Sequence, residues 1–384
     1  MNHIPLNFIN MTKRKLTILH TESSTGWAGQ EMRIIIEARE MKKIGYNIII
    51  AAQPGSGIIP AIDREGFGKE IMAMNKKNTI TSVIYLIRII AKYKVDIVNT
   101  HSSWDSWIAS IAARISRHNP VIIRTRHLST PVSKGLLSRM VYQYLPHLVI
   151  TTGNSIREAL ININRFPHDK IVSIPTGVDL DVFCPRPVNN ELRSKLGISK
   201  EGKVIGTIAA LRSWKGHDYL LEAAKILIEK RKDIKFVIAG AGPRYNHLVE
   251  KAKSMGITNH VLFLGYRDDI PDILSMLDVV VLPSYANEGV PQSILQAMAM
   301  EKPVVASSAG SIPEVVHDKE TGILVEPKNA KALAEGIVSM LDNHDFARTV
   351  AANARKLIET KYSLRHMVSG IEEIYNDLMQ KYKT

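Results

Sequence analysis

Twelve short apolar runs, rich in β-branched residues, recur along this 384-residue chain, and stretches of helical length separate most of them. The runs are apolar at successive positions, as strands covered on both faces are. Strands that alternate with helices form βαβ units, which place parallel strands in one sheet through right-handed crossovers. The runs are KLTILHT, NIIIAAQ, DIVNTH, VIIRTRH, HLVITTG, IVSIPTG, VIGTIAAL, KFVIAGAG, VLFLGY, VVVLPSY, PVVASS and GILVEP.

Twelve strands are too many for one ordinary sheet, so the sequence predicts an α/β protein with two doubly wound domains. The break is predicted in the turn-rich segment GVDLDVFCPRPVNN at residues 177–190. We therefore expect an N-terminal extension at residues 1–14, a first Rossmann-like domain at residues 15–185 and a second at residues 186–365. The last segment, residues 366–384, has apolar residues near helical spacing and is predicted to be a terminal helix.

Composition excludes several other classes of protein. The one cysteine, Cys184, excludes an internal disulfide framework and a cysteine-based zinc cluster. No run of about 18 apolar residues predicts a transmembrane span, and the N-terminus lacks the layout of a signal peptide. Asp179-Leu-Asp181 matches a DxD metal pattern, but it lies in the predicted interdomain turn, and no HExxH pattern occurs. We therefore predict no metal site.

The positive charge of the chain is unevenly distributed. The net charge is +13, of which residues 1–185 carry +10 and residues 186–384 carry +3. A basic first half favours an anionic partner, and the alternative is a generally basic surface. Residues 75–94 and 133–145 are basic and amphipathic, which predicts contact with an anionic membrane surface unless their apolar sides pack on the sheet. No nucleic-acid-binding motif is present, so we expect no nucleic-acid partner. We expect a cytoplasmic protein, peripheral on the inner face of the cytoplasmic membrane.

The segment NEGVPQSILQAMAMEKPVVAS, residues 287–307, joins two predicted strands through a loop and a helix. Ligands gather beyond the carboxyl ends of parallel strands, which is where Glu288 lies, and Pro291 suits the first turn of a helix. Gly289 keeps the backbone accessible, and Gln296 shares a helix face with the residue four positions before it. The alternative is an ordinary helix start, where the Glu288 carboxylate would only interact favourably with the helix dipole. The N–H groups predicted to face an anion are those of Val290, Gln292 and Ser293.

Three other strand ends in the second half carry polar or small residues. Arg212 and Lys215 follow the strand VIGTIAAL, and two cations suit a pyrophosphate without a metal. Gly240 lies in a small-residue turn after KFVIAG, and Tyr266 and Arg267 follow VLFLG. Together these strand ends predict a phosphate-bearing ligand, and the alternative is a set of basic surface residues around a glycine turn.

In the first half, two histidines and two arginines lie at or near strand ends. His127 ends VIIRTRH, a position that favours a functional role over that of a structural histidine. His101 ends another strand and is a candidate ligand contact. Arg124 and Arg126 alternate along their strand and share a predicted face. They are candidates to bind an anionic ligand, or else to pair with carboxylates.

Together these motifs resemble the family 4 retaining glycosyltransferases over about residues 15–365, and more narrowly bacterial envelope-polysaccharide and lipopolysaccharide transferases. The resemblance rests on EGVP with AMA and PVVA, ALRSWKG, AGAGP, FLGYRDDI and TGVDLDVFCP, and on GWAGQEMR and RTRH in the first half. It implies a GT-B fold, with two facing Rossmann-like domains, a cleft between them and a last helix that crosses back to the first domain.

The resemblance also implies roles for individual residues. The donor would be a nucleotide-diphosphate sugar held mainly by the second domain, and the acceptor a saccharide or lipid-linked saccharide. His101 is then a candidate contact to the acceptor or the sugar, and Arg124 and Arg126 are candidates to bind an anionic acceptor. By this similarity Glu288 would bind hydroxyls of the transferred sugar, and His127 would touch that sugar near its reacting carbon. The other implied donor contacts are Gly289, Val290 and Pro291 at the sugar and phosphate, Arg212 and Lys215 at the diphosphate, Tyr266 and Arg267 near the nucleobase, and Gly29 from the opposite domain.

Gln296 departs from the family pattern, which has a glutamate that resembles a clamp for the ribose hydroxyls. Glutamine keeps an acceptor oxygen but loses the charge, so a hydrogen bond to ribose remains feasible. The alternatives are a nucleotide-sugar epimerase on a similar fold and a catalytically weak scaffold subunit, for which Gln296 is the one supporting residue. The resemblance implies neither a metal nor another cofactor.

Overall fold

The computed structural model describes residues 15–383, so the predicted extension at residues 1–14 lies outside the described residues. Within that range the chain forms two parallel β-sheets with helices between the strands. The first sheet contains β1 (Thr17–Glu22), β2 (Asn47–Ala52), β3 (Gly68–Ile71), β4 (Ile97–Thr100), β5 (Val121–Arg126), β6 (Leu148–Thr151) and β7 (Ile171–Ser173). The second contains β8 (Lys203–Ile208), β9 (Ile234–Ala239), β10 (Val261–Gly265), β11 (Val279–Leu282), β12 (Val304–Ser307) and β13 (Ile323–Val325).

The helices lie between these strands, apart from a run of three helices at the end. They are α1 (Gly29–Lys43), α2 (Ile59–Glu65), α3 (Thr79–Tyr93), α4 (Ser103–Ile115), α5 (Leu136–Arg139), α6 (Asn154–Glu158), α7 (Asn190–Lys195), α8 (His217–Lys230), α9 (Tyr245–Ser254), α10 (Ile270–Met276), α11 (Gln292–Ala299), α12 (Ala330–Asp342), α13 (His344–Lys361) and α14 (Leu364–Lys383). Short π-helical segments, Met140–Tyr144 and Ala159–Ile163, continue α5 and α6.

Both sheets are doubly wound, as predicted. The strand order is β3-β2-β1-β4-β5-β6-β7 in the first sheet and β10-β9-β8-β11-β12-β13 in the second, with neighbouring strands parallel. The order reverses between β1 and β4 and between β8 and β11. Open α/β sheets bind ligands beyond the carboxyl ends of the strands at such switch points. The topology therefore marks the loops after β8 and β11 as a candidate site.

Each of the twelve predicted runs contains a strand, and one further strand was missed. β3 reads GKEI, an edge strand whose side chains are mostly exposed or half-buried. An edge strand needs no continuous apolar run, so the sequence signal is weak. In the second sheet, Val280 packs in one apolar core while its neighbours Val279 and Val281 pack in another. Successive side chains of a strand point to opposite faces, so this sheet is covered on both.

Contacts between Cα atoms divide the chain into two compact units. Among the described residues, one unit contains residues 15–124, 144–147 and 377–383, and the other contains Thr125–Gln143 and Leu148–Asn376. In the first unit, the end of α14 is held by a hydrogen bond of 2.6 Å from Lys383 Nζ to the carbonyl of His118. The predicted domain limits at residues 185 and 365 stay a prediction. Within residues 15–383, no helix is both long and apolar enough to span a bilayer.

Candidate active site

An ion pair between Glu288 and Lys215 lies at the switch point of the second sheet. Lys215 ends a single 3₁₀ turn after β8, and Glu288 lies in the loop after β11. The Lys215 ammonium is 2.7 Å from Oε1 of Glu288 and donates a hydrogen bond of 3.0 Å to its Oε2. The Glu288 side chain is only 6% exposed and that of Lys215 is 20% exposed. The pair thus places a buried carboxylate and a partly accessible cation where a ligand is expected.

Gly216 allows the loop after β8 to approach the loop after β11. Gly216 has a φ of 72°, and a Cβ there would lie 1.9 Å from the carbonyl oxygen of Pro283. The amide of Tyr285 donates a hydrogen bond of 2.8 Å to the carbonyl of Trp214. Since any side chain at position 216 would collide with the backbone after β11 and strain its own, the Lys215–Glu288 pair depends on this glycine.

The start of α11 presents unused backbone donors beside Glu288. The amides of Gln292 and Ser293 have no hydrogen-bond acceptor among the residues that the structure describes. The amide of Val290, by contrast, donates to the carbonyl of Thr152 at 3.3 Å, so the prediction that it is free was wrong. A backbone carbonyl from the loop after β6 uses that donor, which the sequence could not show. Two of the three predicted amides remain available to an anion.

Two glutamine side chains line the same face of α11. The Oε1 atom of Gln292 is buried and has no hydrogen-bond partner within the described residues. Gln296 lies one turn further along the helix and is half-buried. The amide groups of this pair can bind hydroxyls, whereas neither brings a charge to the site.

The main chain of His127 lies next to the loop that carries Glu288. A Cβ added to Gly289 would lie 2.9 Å from the carbonyl oxygen of His127 and 2.8 Å from Oγ1 of Thr152. The Thr152 hydroxyl itself donates a bond of 3.3 Å to that His127 carbonyl. His127 is buried. The structure therefore brings His127 and Glu288, which are far apart in sequence, into one neighbourhood of the same compact unit.

Arg212, Tyr266 and Arg267, which were also predicted to contact the donor, lie around the Lys215–Glu288 pair and not beside it. Arg212 is exposed, and its guanidinium carbon lies 5.8 Å from the centre of the Trp214 ring. Tyr266, 61% exposed, and Arg267 follow β10, which is two strands from β8 and hence about 10 Å away. Arg267 donates a hydrogen bond of 2.7 Å to Asp269, an ion pair that lowers the pKa of the Asp269 carboxyl. These positions suit the periphery of a large ligand.

Gly240 has a structural reason to be glycine. A Cβ at this position would lie 2.0 Å from the carbonyl oxygen of Ala209. The residue that closely approaches Gly240 is therefore Ala209, just after the end of the neighbouring strand β8. Contact of Gly240 with a donor stays a prediction.

Two predicted residues of the other unit, His101 and Arg124, lie in a buried polar network, whereas Gly29 does not. Gly29 is the first residue of α1, is exposed, and has open space where a Cβ would lie. His101 is buried, with its Nε2 atom 3.0 Å from Nδ1 of His20. The His101 amide donates to Asp105 at 2.8 Å; burial raises the pKa of that carboxyl, and the charge of nearby Arg124 opposes this shift. Arg124 is buried, which fits pairing with a carboxylate better than display to an acceptor.

Arg126 is also engaged locally. Its Nη2 atom donates bonds of 2.7 Å and 2.6 Å to the carbonyl and hydroxyl oxygens of Thr130. The guanidinium orders the loop after β5. A role for Arg126 in acceptor binding stays a prediction.

Sequence reasoning missed two buried ionisable residues near the switch points. Glu22 ends β1 and accepts hydrogen bonds of 2.5 Å from both Gln30 and Ser102, and burial together with Asp105 raises its pKa to about 8. His217 begins α8, and burial together with Lys215 lowers its pKa to about 4. Both residues lie at the ends of predicted secondary-structure elements. That position is the one sequence feature that could have marked them as candidate site residues.

The DxD match has a local structural role. The Asp179 carboxylate accepts the amides of Asp181 and Val182 at 3.0 Å and 3.3 Å, which closes a turn. No group of three or more histidine, cysteine, aspartate or glutamate side chains that could hold a metal ion occurs within the described range.

Comparisons with known proteins cover both sheets. Residues 27–182 match the family described as Glycosyltransferase Family 4, and residues 188–357 match that described as Glycosyl transferases group 1. A protein of Escherichia coli, UDP-Gal:alpha-D-GlcNAc-diphosphoundecaprenol alpha-1,3-galactosyltransferase, is 31% identical over 310 residues, which are 78% of this chain and 79% of that protein. This identity and coverage establish a family relationship.

Solved structures show the same fold. A glycosyltransferase from Rickettsia africae ESF-5 has a TM-score of 0.85 at 25% identity and covers 95% of this chain and 99% of its own. Anabaena HepE, solved with UDP and glucose, also has a TM-score of 0.85, at 21% identity, covering 94% of this chain and 99% of its own. The fold is thus shared along nearly the whole chain.

Proposed function

We propose a specific reaction for this chain, which belongs to the retaining glycosyltransferases of family 4 and is a glycosyltransferase with a GT-B fold. The donor is a uridine diphosphate sugar, and the acceptor is a saccharide on a diphosphate-linked lipid of envelope polysaccharide synthesis. The buried Glu288–Lys215 pair beside the free amides of α11 carries the proposal. The names of the Escherichia coli and Anabaena relatives support uridine and the lipid-linked acceptor. The comparisons give no support to the epimerase alternative.

In this proposal each group of the site acts on a different part of the donor. The Glu288 carboxylate accepts hydrogen bonds from hydroxyls of the transferred sugar, while Lys215 and Arg212 neutralise the diphosphate. The amides of Gln292 and Ser293 donate to a phosphate oxygen at the positive end of the α11 dipole. These fixed donors stabilise the negative charge that builds on the leaving diphosphate, so no resident metal is required for that step.

The proposed chemistry retains the configuration at the anomeric carbon. The acceptor oxygen attacks from the face that the diphosphate leaves, a C–O bond to the acceptor forms, and the bond to the phosphate oxygen breaks. The acceptor proton passes to the departing phosphate. His127 lies on the sugar side of this centre, where its main chain is already fixed beside the Glu288 loop. Gly240 borders the donor, and Tyr266 and Arg267 lie at its nucleobase, whereas contact of Gly29 with the donor stays a prediction.

A nucleotide-sugar panel read by thermal shift tests this function. A ligand that binds the folded state raises the apparent melting temperature by mass action. We expect UDP-sugars and UDP to stabilise the protein, with or without magnesium, and the guanosine and adenosine analogues to do so less. If no nucleotide shifts the melting temperature, the proposal fails, and a scaffold protein with Gln296 at a degenerate site becomes the better description.

Gln296 is expected to affect nucleotide affinity rather than catalysis. Replacing Gln296 with alanine should weaken UDP binding by about 1 kcal/mol, or roughly fivefold, because one hydrogen bond to ribose is lost. Gln296→Glu should restore or strengthen binding, because a charged acceptor makes the stronger bond. Titration calorimetry with UDP measures both, and Asn162→Ala, at an exposed amide, is the control. Equal affinity of Gln296→Ala and wild type would contradict a ribose contact.

The outer face of α3 supports the proposed contact with an anionic membrane. Ile80 and Ile84, one turn apart, are 77% and 47% exposed. Lys76, Lys77 and Arg88 are exposed before and along the same helix. Apolar side chains ringed by cations suit the interface of an anionic bilayer. We propose that the protein works at the inner face of the cytoplasmic membrane, where a lipid-linked acceptor would be presented.

Replacing both Ile80 and Ile84 with serine is expected to reduce membrane binding roughly tenfold, because each buried apolar side chain contributes in proportion to its area. Co-sedimentation with vesicles of phosphatidylglycerol and phosphatidylcholine measures this, and pure phosphatidylcholine vesicles should bind weakly. Ile115→Ser, at another exposed isoleucine of the same unit, is the matched control. Unchanged sedimentation of the double variant would reject α3 as the membrane face.

A further inference from the structure

The segment after β6, residues 152–155, is bonded to the loop after β11 and to the end of β5. The carbonyl of Thr152 accepts the amide of Val290 at 3.3 Å. The hydroxyl of the same threonine donates to the carbonyl of His127 at 3.3 Å. One residue therefore bonds to the strand end that carries His127 and to the loop that carries Glu288.

A carboxylate from a third loop fixes the other end of residues 152–155. Oε2 of Glu314 accepts the amide of Asn154, and Oε1 accepts the amide of Ser155, each at 2.7 Å. These are the first two amides of α6, which have no acceptor within their own helix. Two short bonds from a carboxylate to a helix N-terminus combine charge-assisted hydrogen bonding with a favourable dipole interaction.

The turn that carries Glu314 also holds the backbone of Glu288. The Ser311 amide donates to the carbonyl of Glu288 at 3.2 Å, and the Ser311 hydroxyl lies 2.6 Å from that of Ser155. A Cβ on Gly153 would lie 2.2 Å from the Ser311 hydroxyl and 2.8 Å from its Cβ. The packing between this turn and residues 152–155 therefore has no room for a larger residue at position 153.

We propose that Glu314 is a positioning residue for sugar transfer, which, together with Ser311, fixes the spacing between the His127 strand end and the Glu288 loop. The proposal rests on the proposed function. Glu314 touches no reacting atom in this scheme. It acts through Asn154 and Ser155 on Thr152, and through its own turn on Glu288. Because misplacement of a reacting group by about 1 Å costs on the order of 100-fold in rate, a carboxylate outside the reaction centre can control turnover.

Two variants disturb this contact from opposite sides. Glu314→Gln keeps the shape but turns an NH₂ group towards one of the two amides, so one hydrogen bond is lost. Gly153→Ala leaves the carboxylate intact and forces a methyl group into the Ser311 side chain. The matched controls are Glu320→Gln, at an exposed carboxylate six residues further along the chain, and Gly135→Ala, where the nearest atom to the new Cβ is 4.0 Å away.

The first measurement is hydrogen–deuterium exchange of the peptide that spans residues 152–158, with no ligand added. The amides of Asn154 and Ser155 are expected to exchange slowly in the wild type and in both controls, and faster in Glu314→Gln. This readout does not depend on the donor or on activity. Equal exchange in the wild type and Glu314→Gln would overturn the proposed contact.

The second measurement is the release of UDP from UDP-glucose, with UDP affinity determined in parallel. We expect kcat to fall roughly 10- to 100-fold in Glu314→Gln and Gly153→Ala, with UDP affinity unchanged. The double variant should be no slower than the worse single variant, because both break one contact. Wild-type turnover in both single variants would overturn this inference but leave the proposed function standing. So would a double variant whose loss of kcat equals the combined losses of the two single variants. A wild type that binds no nucleotide sugar would instead remove the proposed function and the inference with it.

Discussion

Replacing Glu288 with alanine is expected to lower the rate of sugar transfer by roughly 100- to 1,000-fold, the loss typical for one electrostatic group at a reaction centre. The carboxylate is buried at the switch point of the second sheet and contacts Lys215. In the proposed complex it binds hydroxyls of the transferred sugar, so its loss frees that sugar to move. Lys215, left without its partner, is exposed enough to be hydrated, and the fold should lose little stability.

The measurement is donor turnover at saturating UDP-sugar, with the melting temperature and far-ultraviolet circular dichroism recorded on the same sample. Glu229→Ala is the matched control, because Glu229 pairs with Lys225 at 3.5 Å on the exposed face of α8. That surface pair should contribute close to nothing. Turnover near the wild-type rate in a folded Glu288→Ala protein would reject the assignment of Glu288 to the sugar.

Replacing Lys215 with methionine is expected to lower both turnover and stability. Loss of the cation removes charge stabilisation from the leaving diphosphate, for a fall in turnover of roughly 100-fold or more. It also leaves the Glu288 carboxylate, whose side chain is 6% exposed, without its ionic partner. Breaking a buried ion pair from one side costs about 3–5 kcal/mol, and the partial exposure of Lys215 places this case near about 2–4 kcal/mol.

A double variant separates these two effects. Lys215→Met combined with Glu288→Gln removes the uncompensated charge, so it should recover much of the lost stability but none of the turnover. Urea denaturation gives the free energy of unfolding, and UDP release gives the turnover. Lys225→Met is the surface control. If the double variant is as unstable as Lys215→Met alone, the Glu288–Lys215 contact is not a stabilising ion pair, and the description of the site is wrong.

The fold was largely predictable because parallel sheets covered on both faces require apolar, β-branched strands. Each of the twelve runs contains a strand, and the sequence order of strands and helices gave the doubly wound class. The edge strand β3 was missed for the same reason, since GKEI makes no continuous apolar run. The families and neighbours found by comparison agree with the resemblance read from the motifs.

The site was predictable only as a set of strand ends. The chain places Glu288 and Lys215 after two apolar runs, but it does not say that these runs are adjacent strands; the order β8-β11 does. The amide of Val290 was predicted to be free, because nothing local reveals that the carbonyl of Thr152 accepts it. The sequence also did not reveal that the carbonyl of Ala209 lies against Gly240 and requires a glycine there.

The sequence by itself determined twelve of the thirteen described strands, the doubly wound class and the residues whose side chains could take part in chemistry, because periodicity, turn chemistry and residue type are local properties. Only the tertiary structure decided which of those residues meet. The Glu288–Lys215 pair, the bond between Thr152 and Val290 and the carboxylate of Glu314 on α6 each join residues more than 70 positions apart. Such contacts depend on the order of strands in the sheet and on close approaches between loops at glycine positions. No single segment of the sequence reveals either of them.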